Sequence, residues 1–138
     1  MKVTRIELDE IPVMCVSEHE GEGGPGSVAG KAFERLEGGL ESLRGRRFYG
    51  LFYVASGEYR ACTALRDEDD PEALGFIRGT IPGGSYLRTR LRGEPDEIYP
   101  LIPATVSDLV ARATDSTRPS IEFYRRRDAL DLLVPIGD

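Results

Sequence analysis

The feature that most constrains the fold of this chain is an internal repeat, in which segments of the first half recur about seventy residues later. Three pairs of segments correspond: the Ile-Pro pair at 11–12 and 81–82, residues 51–53 and 122–124, and residues 59–64 and 130–135. Self-similarity at one shift indicates that a single supersecondary unit has been duplicated. The chain is therefore expected to fold as two similar halves.

The hydrophobic pattern gives both halves the same order of elements. Apolar residues three and four apart predict amphipathic helices at 27–43 and 103–113. Short runs rich in β-branched and aromatic residues, bounded by Gly and Pro, predict strands elsewhere. The predicted strands are 2–8, 13–20, 46–54 and 58–66 in the first half, and 73–79, 85–93, 120–125 and 130–136 in the second.

These elements predict a single α+β domain over residues 1–138. Repeat one spans about 1–66 and repeat two about 73–138. A β-α-β-β unit cannot bury its sheet face alone, so two units are expected to form one antiparallel sheet with two helices on one face. The other face is then predicted to hold a ligand groove.

Composition excludes several classes of function. The formal net charge of −6 argues against nucleic acid or anionic lipid as a direct partner, because phosphate binding needs a basic surface. No window has the length and apolarity of a membrane span, and the first ten residues are too polar for a signal peptide. Cys15 and Cys62 are expected to be reduced and buried, which favours a cytoplasmic protein.

The repeat also singles out one acid. Glu122 occupies the place that Leu51 has in the first half, so a solvated surface position is not expected there. Side chains two residues apart share a face of a strand. Glu122 and Tyr124 therefore share a face of their strand, and Tyr49, Leu51 and Tyr53 likewise share a face of theirs. If the helices cover the other side of the sheet, all five converge on the groove.

Simpler interpretations exist for the same residues. Glu122 can instead face water, or pair with Arg88 or Arg90 on a neighbouring strand. His19 is the only histidine and has no cysteine at ligand spacing, so we predict neither a metal site nor a cofactor.

Taken in order, four features resemble the GyrI-like small-molecule-binding domain, which is also the effector-binding domain of some bacterial AraC- and MerR-type transcription activators. They are the duplicated unit, "IPGGSY" at 81–86, "RGEP" at 92–95, and the "EFY" and "LLVPI" segments within 122–136. The resemblance covers nearly the whole chain. The sequence departs from the family in having no tryptophan and in carrying prolines at the start of the second helix.

The resemblance implies that Glu122 lies in an aromatic groove and meets flat, cationic, hydrophobic ligands, with Tyr124, Tyr53 and Tyr86 around it. It implies a stand-alone multidrug-type binding protein that senses or sequesters its ligand, acting with a separate regulator or by self-association. We expect binding rather than catalysis. The alternatives are a hydrolase of strained cyclopropane toxins with Glu122 as general base, and a gyrase-inhibitor-type interaction module.

Overall fold

A computed structural model of the chain describes residues 2–19, 25–115, 117–126 and 128–137. Eight strands form one antiparallel sheet. The strands are β1 (Thr4–Leu8), β2 (Ile11–His19), β3 (Phe48–Tyr53), β4 (Glu58–Ala64), β5 (Ile77–Ile81), β6 (Gly84–Arg92), β7 (Ser120–Arg126) and β8 (Ala129–Pro135). The helices are α1 (Pro25–Gly38), α2 (Pro71–Leu74), α3 (Pro95–Ile98) and α4 (Ile102–Val110), with a 3₁₀ turn at Tyr99–Leu101. This architecture confirms the predicted α+β fold class.

The order of the strands is symmetric about the middle of the sheet. Across the sheet it is β1-β6-β8-β7-β3-β4-β2-β5. Strands β1 to β4 correspond to β5 to β8. If each strand is exchanged with its counterpart, the same order is read from the opposite edge of the sheet. The pseudo-twofold axis therefore lies between β3 and β7. Each half also lends its first strand to the other, because β1 pairs with β6 and β5 pairs with β2.

One face of the sheet, called the inner face here, carries no helix. All eight strands contribute side chains to a single apolar cluster on it. Several members are fully buried although no other layer covers them, including Val13, Cys15, Ile81 and Tyr86. The sheet must therefore curl around this cluster, so that its own edges exclude water.

The opposite, outer face carries the long helices. Helix α1 packs on β2 and β4 through Val28, Ala32 and Leu36, and α4 packs on β8 through Leu109. Burying an apolar helix face in this way is the main source of stability for helices of this length. Two separate clusters result, one beneath each helix, with the central strands β3 and β7 running between them.

Both long helices differ from their predicted bounds. Helix α1 ends at Gly38 rather than at residue 43, since Gly38 and Gly39 are poor helix formers. The connection between the predicted strand at 13–20 and this helix falls largely on residues 20–24, which lie outside the described residues. The second helical region is broken into α3, a 3₁₀ turn and α4, each with a proline in its first two positions. Proline lacks an N–H to continue a helix, so each one starts a new segment.

A further helix lies where a loop and the start of a strand were predicted. Asp70 accepts a hydrogen bond from the Ala73 backbone N–H at 3.4 Å and caps α2. Gly75 ends the helix with φ +76°, a left-handed conformation that favours glycine. Strand β5 consequently begins only at Ile77.

The cysteines are buried as expected. Cys15 and Cys62 are register partners on β2 and β4, both are fully buried, and both are free thiols. Among the described residues, no helix is long and apolar enough to cross a membrane, and no group of three or more His, Cys, Asp or Glu side chains is placed to hold a metal ion.

Candidate functional site

Glu122 lies at the centre of the sheet. It is directly opposite Gly50 on β3 and Leu132 on β8. Its neighbours Ile121 and Phe123 belong to the inner-face cluster. Because successive side chains on a strand point to opposite faces, Glu122 points to the outer face, between the regions covered by α1 and α4.

The carboxylate is held by two tyrosine hydroxyls. Tyr59 donates a hydrogen bond to Glu122 Oε1 at 2.6 Å, and Tyr124 donates to the same oxygen at 3.1 Å. Tyr59 reaches the carboxylate from β4 across Gly50, where the lack of a side chain leaves room for both groups. We refer to Glu122, Tyr59 and Tyr124 as the carboxylate site.

Burial controls the protonation of this site. Desolvation raises the pKa of Glu122, and the two tyrosine hydrogen bonds oppose that effect without cancelling it. The pKa values of Tyr59 and Tyr124 lie well above the ordinary tyrosine value, chiefly because of burial and then because of the nearby Glu122 charge. Both hydroxyls therefore stay protonated at neutral pH and remain donors.

Aromatic rings surround the carboxylate site. Phe33 of α1 meets Tyr124 edge to face, with ring centroids 5.2 Å apart, and meets Tyr59 in the same way at 6.2 Å. Phe48 also meets Phe33 edge to face, with ring centroids 6.5 Å apart. Tyr124 also packs against the cluster beneath α4. It therefore joins the regions under the two helices, with Glu122 at their boundary.

Glu122 has no cationic partner among the described residues: its hydrogen bonds come from Tyr59 and Tyr124, and no arginine, lysine or histidine forms an ion pair with it. The proposed pairing with Arg88 or Arg90 is wrong, because Arg90 pairs with Asp131 at 2.6 Å and Arg88 lines the inner face. A fully solvated surface acid is also ruled out, since Glu122 is only partly exposed and burial raises its pKa. An uncompensated carboxylate in an apolar setting is costly, and a cation would relieve that cost.

The structure divides the predicted site residues between the two faces. Glu122 and Tyr124 lie together on the outer face. The other four, Tyr49, Leu51, Tyr53 and Tyr86, belong to the inner-face cluster. Their expected convergence with Glu122 is wrong, and so is the expectation that Glu122 points away from the helices. Strand alternation is the reason: Glu122 lies between Ile121 and Phe123, which both face inward, and therefore faces outward. Leu51, its match in the repeat alignment, faces inward.

The four inner-face residues have partners of their own. The Tyr86 hydroxyl donates to the Pro82 carbonyl at 2.7 Å. Arg60 lies over the Tyr53 ring at 5.5 Å. Tyr49 stacks on Phe123 with ring centroids 4.8 Å apart, and Leu51 is 1 % exposed. A role for them at the carboxylate site would therefore need side chains to cross the sheet.

Sequence reasoning missed Tyr59, Gly50 and Phe33. The sequence did indicate the location of Tyr59, because the short turn between the strands predicted at 46–54 and 58–66 places β4 beside β3. Phe33 lies on the apolar stripe of the predicted helix, but its position over the central strands depends on the path of α1. Gly50 belongs to no sequence pattern. Its role in leaving space beside Glu122 follows only from the pairing of β3 with β7.

No protein-family model matches the sequence, and no curated protein matches it significantly. Several solved structures share its fold. An integron cassette protein from the mobile metagenome of Vibrio cholerae superposes with a TM-score of 0.74 at 16 % identity, covering 98 % of this chain and 95 % of the other. SAV2435 bound to tetraphenylphosphonium gives 0.68 at 12 % identity, with 99 % and 94 % coverage. A hydrolase from Listeria innocua gives 0.56 at 14 %, with 99 % and 92 % coverage.

Proposed function

We propose that this protein binds hydrophobic organic cations at the carboxylate site. The observation that carries the proposal is the Glu122 carboxylate, which is partly buried and hydrogen-bonded to Tyr59 and Tyr124 but paired with no cation among the described residues. A carboxylate attracts a cation more strongly in such a setting than in water, since the effective dielectric constant is lower.

The aromatic rings suit the same class of ligand. Phe33 contacts the rings of both Tyr59 and Tyr124 beside the carboxylate. Each ring face that a cation approaches contributes on the order of 0.5–2 kcal/mol of cation–π attraction. An apolar cation with delocalised charge also loses little hydration on entering such a site. The fold shared with SAV2435, whose structure contains tetraphenylphosphonium, is consistent with this chemistry.

Tetraphenylphosphonium titration by calorimetry tests the proposal. We expect saturable binding by the wild-type protein and a loss of at least about tenfold in affinity for Glu122→Gln, which keeps the shape and removes the charge. Tetraphenylborate has the same shape and the opposite charge, so it should not bind at this site. Glu34→Gln changes an exposed carboxylate on α1 and is the matched control. Equal affinity of the wild type and Glu122→Gln would refute the proposal.

A second candidate function is hydrolysis of strained cyclopropane compounds, with Glu122 as the general base. The raised pKa of Glu122 favours it, because a base works best with a pKa closer to the operating pH. In this case the Glu122→Gln variant should bind the substrate and fail to turn it over. Absence of turnover by the wild type across a panel of strained electrophiles would eliminate this candidate. The gyrase-inhibitor-type interaction stays a prediction that no feature of the described residues favours.

A further inference from the structure

The inner face of the sheet contains a cavity of about 150 Å³, on the opposite side from the carboxylate site. Its walls are mostly apolar, and residues from both sheet edges take part because the sheet is curled. The apolar lining consists of Ile6, Leu8, Ile11, Tyr49, Ile81, Ile121, Phe123 and Leu133. An apolar cavity of about this volume is large enough for a benzene ring.

The charged groups at this cavity are mainly basic. Arg88, Arg125 and Asp131 complete the lining. Both oxygens of Asp131 already accept hydrogen bonds: Oδ1 from Arg90 at 2.6 Å, and Oδ2 from Arg90 at 3.2 Å and Arg125 at 3.4 Å. Asp131 therefore meets two guanidinium groups, and Arg88 adds a further positive charge at the cavity. The cavity is locally cationic although the whole chain carries a net charge of −6.

Arg88 takes no part in these hydrogen bonds to Asp131. It lies on β6 opposite Leu133 of β8 and Thr4 of β1, neither of which carries a charge. Among the described residues no acid pairs with Arg88, whereas Arg90 and Arg125 both pair with Asp131. Arginine presents a planar fork of donors that matches a carboxylate in bidentate geometry.

We propose that this cavity is a second ligand site, which binds a small aromatic carboxylate with its ring among the isoleucines and its carboxylate on Arg88. The ring would lie near the stacked pair of Tyr49 and Phe123, whose centroids are 4.8 Å apart. The proposal is independent of the function proposed for Glu122. The two faces of one sheet would then select ligands of opposite charge.

Benzoate is the probe, and the isoleucine methyl groups report where it binds. Four of the eight isoleucines, at 6, 11, 81 and 121, line the cavity, and the other four do not. In ¹H–¹³C spectra of protein labelled at isoleucine methyls, benzoate should shift the four cavity signals saturably. Benzylamine, which is cationic at neutral pH, should not shift them at the same concentrations.

Three variants complete the test. Arg88→Gln should weaken benzoate binding by at least about tenfold, which corresponds to one charge-assisted hydrogen bond. Arg92→Gln changes an exposed arginine on the same strand and should leave the affinity unchanged. Ile6→Trp fills the cavity from a partly exposed position and should block benzoate with Arg88 intact.

The same measurements can overturn the proposal. Unchanged affinity in Arg88→Gln, equal weakening by Arg92→Gln, binding of benzylamine as tight as that of benzoate, or no shift of the cavity signals would each do so. Glu122→Gln separates the two sites, because it should weaken tetraphenylphosphonium binding and leave the benzoate shifts in place.

Discussion

Gly50 and Glu122 form the middle pair of the ladder between the two central strands, on either side of the pseudo-twofold axis. A Cβ atom at Gly50 would collide with the Tyr59 hydroxyl and with Glu122 Oε1. The glycine therefore creates the space in which the hydrogen bond between those two groups forms. The carboxylate site depends on a residue that contributes no side chain to it.

The first prediction concerns this glycine. Gly50→Ala should lower the free energy of unfolding by about 1–3 kcal/mol, as expected for added volume at a packed position, and should weaken tetraphenylphosphonium binding because the carboxylate must move. Urea unfolding and calorimetry measure the two effects. Gly79→Ala is the control, since its Cβ would meet its nearest neighbours at an ordinary 3.5 Å. The steric argument fails if both variants behave alike.

The second prediction distinguishes the two tyrosines. Tyr59→Phe removes the 2.6 Å hydrogen bond and Tyr124→Phe removes the 3.1 Å one. Because each bond stabilises the charged carboxylate, both variants should raise the pKa of Glu122 further, and Tyr59→Phe should do so more. NMR titration of the Glu122 side-chain carboxyl carbon gives the pKa directly. An equal or reversed order would show that the shorter of the two hydrogen bonds is not the stronger one in solution.

The third prediction concerns pH. The folded-state pKa of Glu122 is raised above its ordinary value. Folding therefore favours the protonated form, so the contribution of Glu122 to stability declines as pH rises through the unfolded and then the folded pKa. The wild type should lose stability relative to Glu122→Gln over that interval, as measured by urea unfolding at a series of pH values. A constant difference between the two proteins across the series would contradict the shift.

Ligand binding should depend on pH in the opposite sense. Only the ionised carboxylate attracts a cation, so affinity for tetraphenylphosphonium should rise with pH and level off above the pKa of Glu122. Below that pKa it should fall by about tenfold per pH unit. Calorimetric titrations at several pH values measure this dependence. Glu122→Gln should abolish it, and a persisting slope in that variant would assign the titration to another group.

The fourth prediction concerns a buried ion pair beneath the loop after β4. Arg46 donates to both oxygens of Asp69 at 2.7 Å, and their side chains are 9 % and 5 % exposed. Asp69→Ala should destabilise the protein by about 3–5 kcal/mol, because it leaves a buried guanidinium unpaired. Asp67→Ala, at an exposed position nearby, should change little. Thermal unfolding of both variants tests this, and a small effect in Asp69→Ala would mean that water reaches Arg46.

The order of elements could be predicted from the sequence because it rests on local signals. Helix periodicity and strand composition persist over many residues, and their repetition about seventy residues later supports each assignment. The ends of the helices depend on tertiary packing as well as on local sequence. The stop at Gly38 was visible as a Gly-Gly pair, but its outcome depends on whether packing offsets the cost of two glycines.

The carboxylate site depends on information that the sequence does not carry locally. A shift of one residue in strand register moves every side chain to the other face. The alignment of Glu122 with Leu51 contained such a one-residue error, because Leu51 faces inward whereas Glu122 faces outward. Tyr49, Leu51 and Tyr53 do lie on the helix-free face, where the groove was predicted, but Glu122 and Tyr124 lie on the opposite face. The resemblance implied the same acid without that alignment, so Glu122 was singled out although four of its expected neighbours lie on the other face.

The exchange of first strands between the halves has a consequence for how the chain can be divided. A cut between β4 and α2 would give two fragments, each holding an edge strand whose hydrogen-bonding partner belongs to the other. Neither fragment could complete its own sheet, and mixing them would be needed to recover the fold. Two such fragments would behave as the subunits of a heterodimer that is stable only while both are present.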